Sequence, residues 1–250
     1  MPELPDVETA RKRIEERALH RRIASVKDDD VYVSRPHAPG EIASALTGRE
    51  LTAVHRIGKT MWCETSQDGP ILALHLGMAG QIAIDEEPSE RGWDRFVLRF
   101  VDGGSLALRD RRRLGRARLE PDLEALGPDA AGVGREAFRG LMERSSAPIK
   151  ARMMDQAVMA GIGNLMADEI LWRARIDPRR PASGLDADEL ARLWRDMRTV
   201  IRMSVHRGHA GVSAMIDQRR RGGICPRCGA EMERGQVGGR TTYWCPREQR

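Results

Sequence analysis

Ile149-Lys-Ala-Arg-Met-Met-Asp-Gln-Ala-Val-Met-Ala-Gly161-Ile-Gly-Asn164-Leu-Met-Ala-Asp-Glu-Ile-Leu-Trp-Arg-Ala174 reads as a helix over Ile149–Met159, a break at Gly161–Asn164, and a second helix over Leu165–Ala174. The two glycines permit a tight turn and close approach, leaving backbone N–H groups and the Asn164 amide at a helix start, where phosphate binds well. An ordinary helix hairpin capped by Asn164 fits the same residues. Working outward, Glu136–Arg144 and Asp186–Val205 also have helical periodicity. In the second of these, Asp186 and Glu189 form a capping box ahead of Leu190, Leu193, Trp194, Met197, Val200 and Ile201.

Further upstream the texture changes. Ile71–Met78, Phe96–Val101, Ser105–Leu108 and Ala117–Leu119 are β-type runs separated by Asp68-Gly69 and Asp102-Gly103-Gly104, the pattern of antiparallel sheets folded as a sandwich. Val7, Ala10, Ile14 and Ala18 predict a helix of about three turns starting near Pro5. Downstream, Arg219-Arg-Arg-Gly-Gly223 marks a basic hinge before a small module. The fold class is therefore α+β and multi-domain: a β-sandwich with an N-terminal helix over 1–120, a helical domain over 121–218, and a metal-finger-like hairpin over 219–250.

Composition narrows the function classes. The 250 residues are 40% apolar and 32% charged, too apolar for disorder. No run of eighteen apolar residues and no signal or transit pattern occurs, which points to a cytoplasmic protein. Only four of the 42 basic residues are lysine (Lys12, Lys27, Lys59, Lys150). Residues 1–150 carry 24 basic and 25 acidic side chains, whereas residues 151–250 carry 18 and 12. A basic surplus at one end suits a polyanion such as nucleic acid, or a solvated basic surface.

Three of the four cysteines lie in the last 26 residues, which favours metal over disulfide. Cys225-Pro-Arg-Cys228 places two thiolates on one ion, and Cys245-Pro-Arg-Glu248 repeats the spacing with a carboxylate in the fourth position. Zinc accepts carboxylate oxygen, so Cys225, Cys228, Cys245 and Glu248 form a candidate site, with a metal-free hairpin as the other reading. At the opposite end stands Met1-Pro-Glu-Leu-Pro5. Removal of Met1 makes Pro2 a secondary amine with a pKa of about 8, a nucleophile able to form a cationic iminium with an aldehyde-level sugar carbon. Glu3 beside it is placed to supply the acid that opens the sugar ring.

Met1-Pro-Glu-Leu-Pro-Asp-Val-Glu8, His75-Leu-Gly-Met-Ala-Gly80, Asp110-Arg-Arg-Arg-Leu-Gly115, Gly161-Ile-Gly-Asn164 and the cysteine knuckles occur together and in order. They resemble the formamidopyrimidine-DNA glycosylase/endonuclease VIII family, and the match spans nearly the whole chain. The resemblance implies a base-excision repair enzyme, monomeric by default, with a helix-two-turn-helix segment and a zinc-finger hairpin. Its partner is damaged double-stranded DNA. By position, it implies Pro2 as the Schiff-base nucleophile, Glu3 as the acid at the sugar ring oxygen, and Lys59 on phosphates near the lesion. It further implies phosphate contacts from His75, Lys150, Asn164 and Arg240. Met78, Arg112 and Leu114 would enter the gap left by the everted nucleotide, and Glu169 would lie near the base pocket. Core packing is the plainer reading of Met78 and Leu114. The chain departs from the family at Met166, where tyrosine is frequent, at Leu114, where phenylalanine is common, and at Glu248. It also has a short 212–224 segment, with no room for a full lesion-capping loop. Two other functions fit the scaffold: a non-catalytic damage-binding protein, or a glycosylase for bulky alkylated bases.

Overall fold

A computed structural model describes residues 2–85, 92–211 and 213–250, and the chain divides into two compact units. The first holds Pro2 and Asp6–Leu123; the second holds Glu3–Pro5 and Glu124–Arg250.

In the first unit, α1 (Leu4–Arg17) turns Val7, Ala10, Ile14 and Ala18 into the core, as their spacing predicts. Two antiparallel four-stranded sheets follow. One has the order β1 (Ile23–Lys27), β6 (Asp94–Phe100), β7 (Ser105–Arg109), β5 (Gln81–Asp85); the other β2 (Leu51–Ile57), β3 (Thr60–Thr65), β4 (Gly69–His75), β8 (Arg116–Leu119). Phe96, Leu98, Leu106 and Leu108 of one sheet share a core with Met61, Cys63, Leu72 and Leu74 of the other, which is the expected sandwich. Cys63 belongs to that core: burial pushes its thiol up to about 12, so it is an inert packing residue.

The run expected to extend to Met78 leaves the sheet at His75. Gly77 takes φ +60 and its N–H donates to His75 Nδ1 at 3.0 Å, turning the chain outward. Between β1 and β2 the chain forms two short helices, α2 (Val31–Ser34) and α3 (Glu41–Leu46), which periodicity does not reveal. Asp30 caps the first, and the buried Asp28 carboxylate accepts Gly40 and Ala43 N–H at the second.

The second unit contains α4 (Arg135–Glu143), α5 (Ile149–Met154), α6 (Asn164–Ala174), α7 (Ala187–Arg207), α8 (Ala214–Asp217) and the hairpin β9 (Glu233–Val237)–β10 (Arg240–Trp244). The capping box of α7 is present, with Glu189 N–H to Asp186 at 2.8 Å and Asp186 N–H to Glu189 at 3.0 Å. The helix expected over Ile149–Met159 stops at Met154. Asp155 draws Ala157 N–H to its own side chain at 3.0 Å, which competes with continuation of the helix. Gln156 clasps the turns that follow, donating to Met154 and Ile162 carbonyls and accepting Gly161 N–H. Trp172 of α6 and Met215 of α8 share a small core with Cys225, Met232 and Cys245, so the hairpin packs on the helices.

Among the described residues no helix is long and apolar enough to cross a membrane.

Candidate nucleic-acid and catalytic site

Glu3 is fully buried, and its carboxylate seals the start of α6. Gly163 and Met166 donate N–H to Oε2 at 3.0 and 3.2 Å, and Leu165 donates to Oε1 at 2.8 Å. These are the orphan donors that every helix leaves at its first turn, and the positive end of the helix dipole faces the carboxylate. The expectation that this helix start offers free N–H groups to phosphate is therefore corrected: an internal anion holds them. Gly163 is required for another reason than its backbone angles. A Cβ there would lie 2.2 Å from Glu3 Cδ.

Lys150 is also fully buried. Its Nζ stands 2.7 Å from Asp168 Oδ1 and donates to Thr242 Oγ1 at 2.7 Å and to the Thr241 carbonyl at 3.4 Å. Arg219 donates to Asp168 Oδ2 at 2.8 Å, and Tyr243 N–H reaches the same oxygen at 3.2 Å. Burial holds the lysine below its ordinary pKa; Asp168 opposes that shift and the Arg219 charge adds to it. An ammonium enclosed in this way has no surface to offer a DNA phosphate, so the expected direct contact from Lys150 gives way to a structural role, tying α5 and α6 to β10. Asn164 joins the same knot through Nδ2 to the Thr241 carbonyl at 3.0 Å, whereas Arg240 is exposed at the start of β10. Glu169 is buried and paired with Arg173 one turn along, at 3.1 Å.

The Sγ atoms of Cys225, Cys228 and Cys245 lie within 4.8 Å of one another, and those of Cys228 and Cys245 are 3.5 Å apart. Three thiolates on a tetrahedral zinc would be separated by about 3.8 Å, so the donor set fits that ion. Burial alone would raise the Cys225 thiol, but the Trp172 indole N–H at 3.4 Å and nearby backbone N–H groups outweigh it and bring it down to about 7, favouring the thiolate. Glu248, expected as the fourth ligand, is not brought into the cluster. Its Oε2 lies 3.4 Å from Arg175 Nε, while the neighbouring Gln249 closes the knuckle by accepting Cys245 N–H at 2.8 Å.

In the sandwich unit, Met78 is 43% and Leu114 37% exposed, which removes the core-packing reading of both. Arg111, Arg112 and Arg113 are exposed beside Leu114. Asp110, itself buried, shapes this loop: Arg112 N–H donates to Oδ1 at 2.8 Å, and Leu114 and Gly115 N–H donate to Oδ2 at 2.7 Å. The two loops touch, since a Cβ on Gly77 would lie 2.4 Å from the Leu114 carbonyl carbon. Glu8 accepts from Arg56 at 2.9 Å, and Arg56 donates to the Gly58 carbonyl at 3.0 Å, which fixes the turn carrying Lys59. Because His75 Nδ1 accepts Gly77 N–H, the neutral ring carries its proton on Nε2. Burial, then the charges of Lys59 and Arg118, lower the imidazole pKa and keep that neutral form.

Residues 1–117 match the family model of the formamidopyrimidine-DNA glycosylase N-terminal domain, and residues 125–215 match its H2TH domain. A formamidopyrimidine-DNA glycosylase from Roseiflexus sp. (strain RS-1) is 36% identical over 284 residues, covering 100% of both chains. The chain belongs to the formamidopyrimidine-DNA glycosylase family. Another member, from Thermus thermophilus, is 35% identical over 98% of this chain and 97% of its own. Among solved structures, the complex of Lactococcus lactis Fpg with abasic-site DNA superposes at TM-score 0.88, with 25% identity and 99% coverage of each chain. The complex of that protein with N7-benzyl-Fapy-dG DNA gives 0.88 at 27% identity, again covering 99% of each.

For a formamidopyrimidine-DNA glycosylase the motif residues are visible in sequence, but their supports are not. Asp110 stands out only as part of its motif, and Asp168, Gln156 and Arg219 carry no signal as partners.

Proposed function

We propose that this monomeric, cytoplasmic enzyme excises a damaged base from double-stranded DNA and then cuts the strand, with Pro2 as nucleophile and Glu3 as the group that handles the ring-oxygen proton. The first half, a DNA glycosylase of base-excision repair, is the activity of the family to which the chain belongs. The observation that carries the second is the seat of Glu3: a fully buried carboxylate, next in sequence to Pro2, held by three N–H donors. A merely solvated N-terminus has no use for such a seat.

With Met1 removed, the Pro2 nitrogen attacks C1′ of the lesion nucleotide as Glu3 gives a proton to O4′ and the sugar ring opens. The base then leaves C1′ with the amine proton, and the C1′–N bond becomes an iminium. Loss of a C2′ proton expels the 3′ phosphate, a second elimination expels the 5′ phosphate, and water releases the sugar fragment. Two of the N–H donors share Oε2 and one reaches Oε1, so the lone pair of Oε1 that Leu165 does not use can carry that proton while the hold on α6 is kept. Lys59, His75, Asn164 and Arg240 hold backbone phosphates; Lys150 acts by fixing Thr241 and Thr242. Met78 and Leu114 fill the gap left by the everted nucleotide, Arg112 faces the orphaned base, and Glu169 borders the base pocket. Borohydride should cross-link the protein to abasic-site DNA at the Pro2 nitrogen, and Pro2→Gly, which exchanges the secondary amine for a less constrained primary one, should diminish the cross-link. An undiminished cross-link in that variant defeats the assignment.

Zinc held by Cys225, Cys228 and Cys245 would supply no chemistry at the sugar; it would brace the hairpin that carries Arg240. Elemental analysis should find one zinc per chain, absent in Cys225→Ser and retained in Glu248→Ala. Loss of the metal in Glu248→Ala would return the carboxylate to the ligand set, and no zinc in the wild type would leave a metal-free finger.

A further inference from the structure

The outer face of the sheet β2-β3-β4-β8 bears a cavity of about 320 Å3 lined by Thr60, Ala73, His75, Arg116, Arg118 and the Pro121–Asp122 segment. Strand pairing sets Thr60, His75 and Arg116 in one row across three strands, and Ala73 and Arg118 in the next. The intervening Met61, Leu74 and Ala117 are fully buried in the sandwich, so the alternation of the strands turns both arginines outward.

Among the described residues no carboxylate stands within ion-pair distance of these arginines. Arg118 makes no hydrogen bond or ion pair among the described residues, and Arg116 donates only to the backbone carbonyls of Gly115 and Arg113. Beside them stand the Thr60 hydroxyl and the Nε2–H of His75. The charges of Lys59 and Arg118 are close enough to disfavour a second proton on that ring, so cationic groups converge here. Guanidinium forks, a hydroxyl and a neutral imidazole N–H together make a donor set for phosphate oxygens.

We propose that this cavity takes a DNA backbone phosphate, with Arg118 and Arg116 as its principal ligands, extending across β8 the phosphate contacts proposed for His75 and Lys59. The proposal rests on the glycosylase reading above. The wall also carries Asp122, whose charge opposes a dianionic free phosphate more than a singly charged phosphodiester. Thr60 on its wall is next in sequence to Lys59, so the cavity adjoins the turn that carries that lysine.

Binding to a duplex containing a tetrahydrofuran abasic analogue, measured across a series of KCl concentrations, tests this. Arg116→Gln/Arg118→Gln should flatten the slope of log affinity against log salt by about one, and weaken binding roughly tenfold at about 0.1 M salt. A methylphosphonate at one backbone position should reproduce that change in the wild type and add nothing in the double variant. A wild-type slope in the double variant overturns the proposal. So does equal flattening by Arg13→Gln on the exposed face of α1, because bulk charge would then explain the effect. Millimolar inorganic phosphate that shifts the Thr60 and Arg118 amide signals, with the DNA slope unchanged by the substitutions, makes this a free-anion site and also overturns it. A wild type that fails to bind the duplex sinks the glycosylase reading itself and takes this one with it.

Discussion

Glu3→Gln should slow base excision by about 10²–10⁴-fold, the range expected when a positioned acid is lost from a bond-breaking step. The substitution is close to isosteric, so most of the helix seat survives. With its carbonyl in the Oε2 position, glutamine still accepts from Gly163 and Met166. Its NH2 then meets the Leu165 N–H, donor against donor, where a carboxylate oxygen stood 2.8 Å away. That exchange costs about 1–3 kcal/mol of stability, a loss visible in a denaturant midpoint but too small to empty the folded state. Rate and stability thus separate. Gly163→Ala supplies the complementary case: it keeps the carboxylate but puts a Cβ where Glu3 Cδ already lies, 2.2 Å away. Excision should fall there too, through displacement of the acid from its place beside Pro2. Wild-type single-turnover excision by Glu3→Gln would remove Glu3 from the chemistry and leave it only a helix cap.

Asp168→Asn should destabilise the second unit by about 3–5 kcal/mol, the usual consequence of deleting one partner from a buried ion cluster. Asp168 is the sole carboxylate seen within ion-pair distance of Lys150 and Arg219 among the described residues, at 2.7 and 2.8 Å, and both it and the lysine side chain are fully inaccessible to water. Neutralising it leaves two desolvated cations facing each other. Unfolding followed through Trp172 and Trp244 should show the loss, and adding Lys150→Met should recover part of it, because one stranded charge is then gone. By contrast, breaking the exposed Arg139–Glu143 pair should change little. A transition in Asp168→Asn within about 0.5 kcal/mol of the wild type would mean that water or another group shields the cluster, and Lys150 would lose its structural role.

Why some of this is legible in sequence and some is not follows from the range of the interactions. The sandwich strands and α7 depend on alternation, turn residues and a capping box, all of which act over a few positions, and they stand nearly where expected. The false extension of α5 to Met159 arises because Ala157, Val158 and Met159 suit a helix, while the residue that stops it, Asp155, acts by a side-chain bond that periodicity does not register. Lys150 misleads for a related reason. A lone cation beside a glycine break looks available until its neutraliser is found, and that neutraliser sits eighteen residues on, with Arg219 a further 51 away. The knuckle spacing Cys-Pro-Arg-Glu describes the turn correctly, but spacing does not say which way Glu248 points, and Gln249 takes the closing bond instead. Met78 and Leu114 show the reverse: both suit a core by type, and exposure alone separates the readings.

The first helix also bears on inheritance. Its first two residues, Leu4 and Pro5, with Glu3 just ahead of them, pack with the helical unit, and the remainder of the helix packs with the sandwich. A gene fragment encoding only 124–250 would thus encode α6 without the anion that closes its first turn and without Leu4 in its core. The helical half is not a portable cassette: shuffled onto another protein, it would arrive with three uncapped N–H groups and a vacancy where Leu4 belongs. Only a recombination event that also carried the first codons would move it intact.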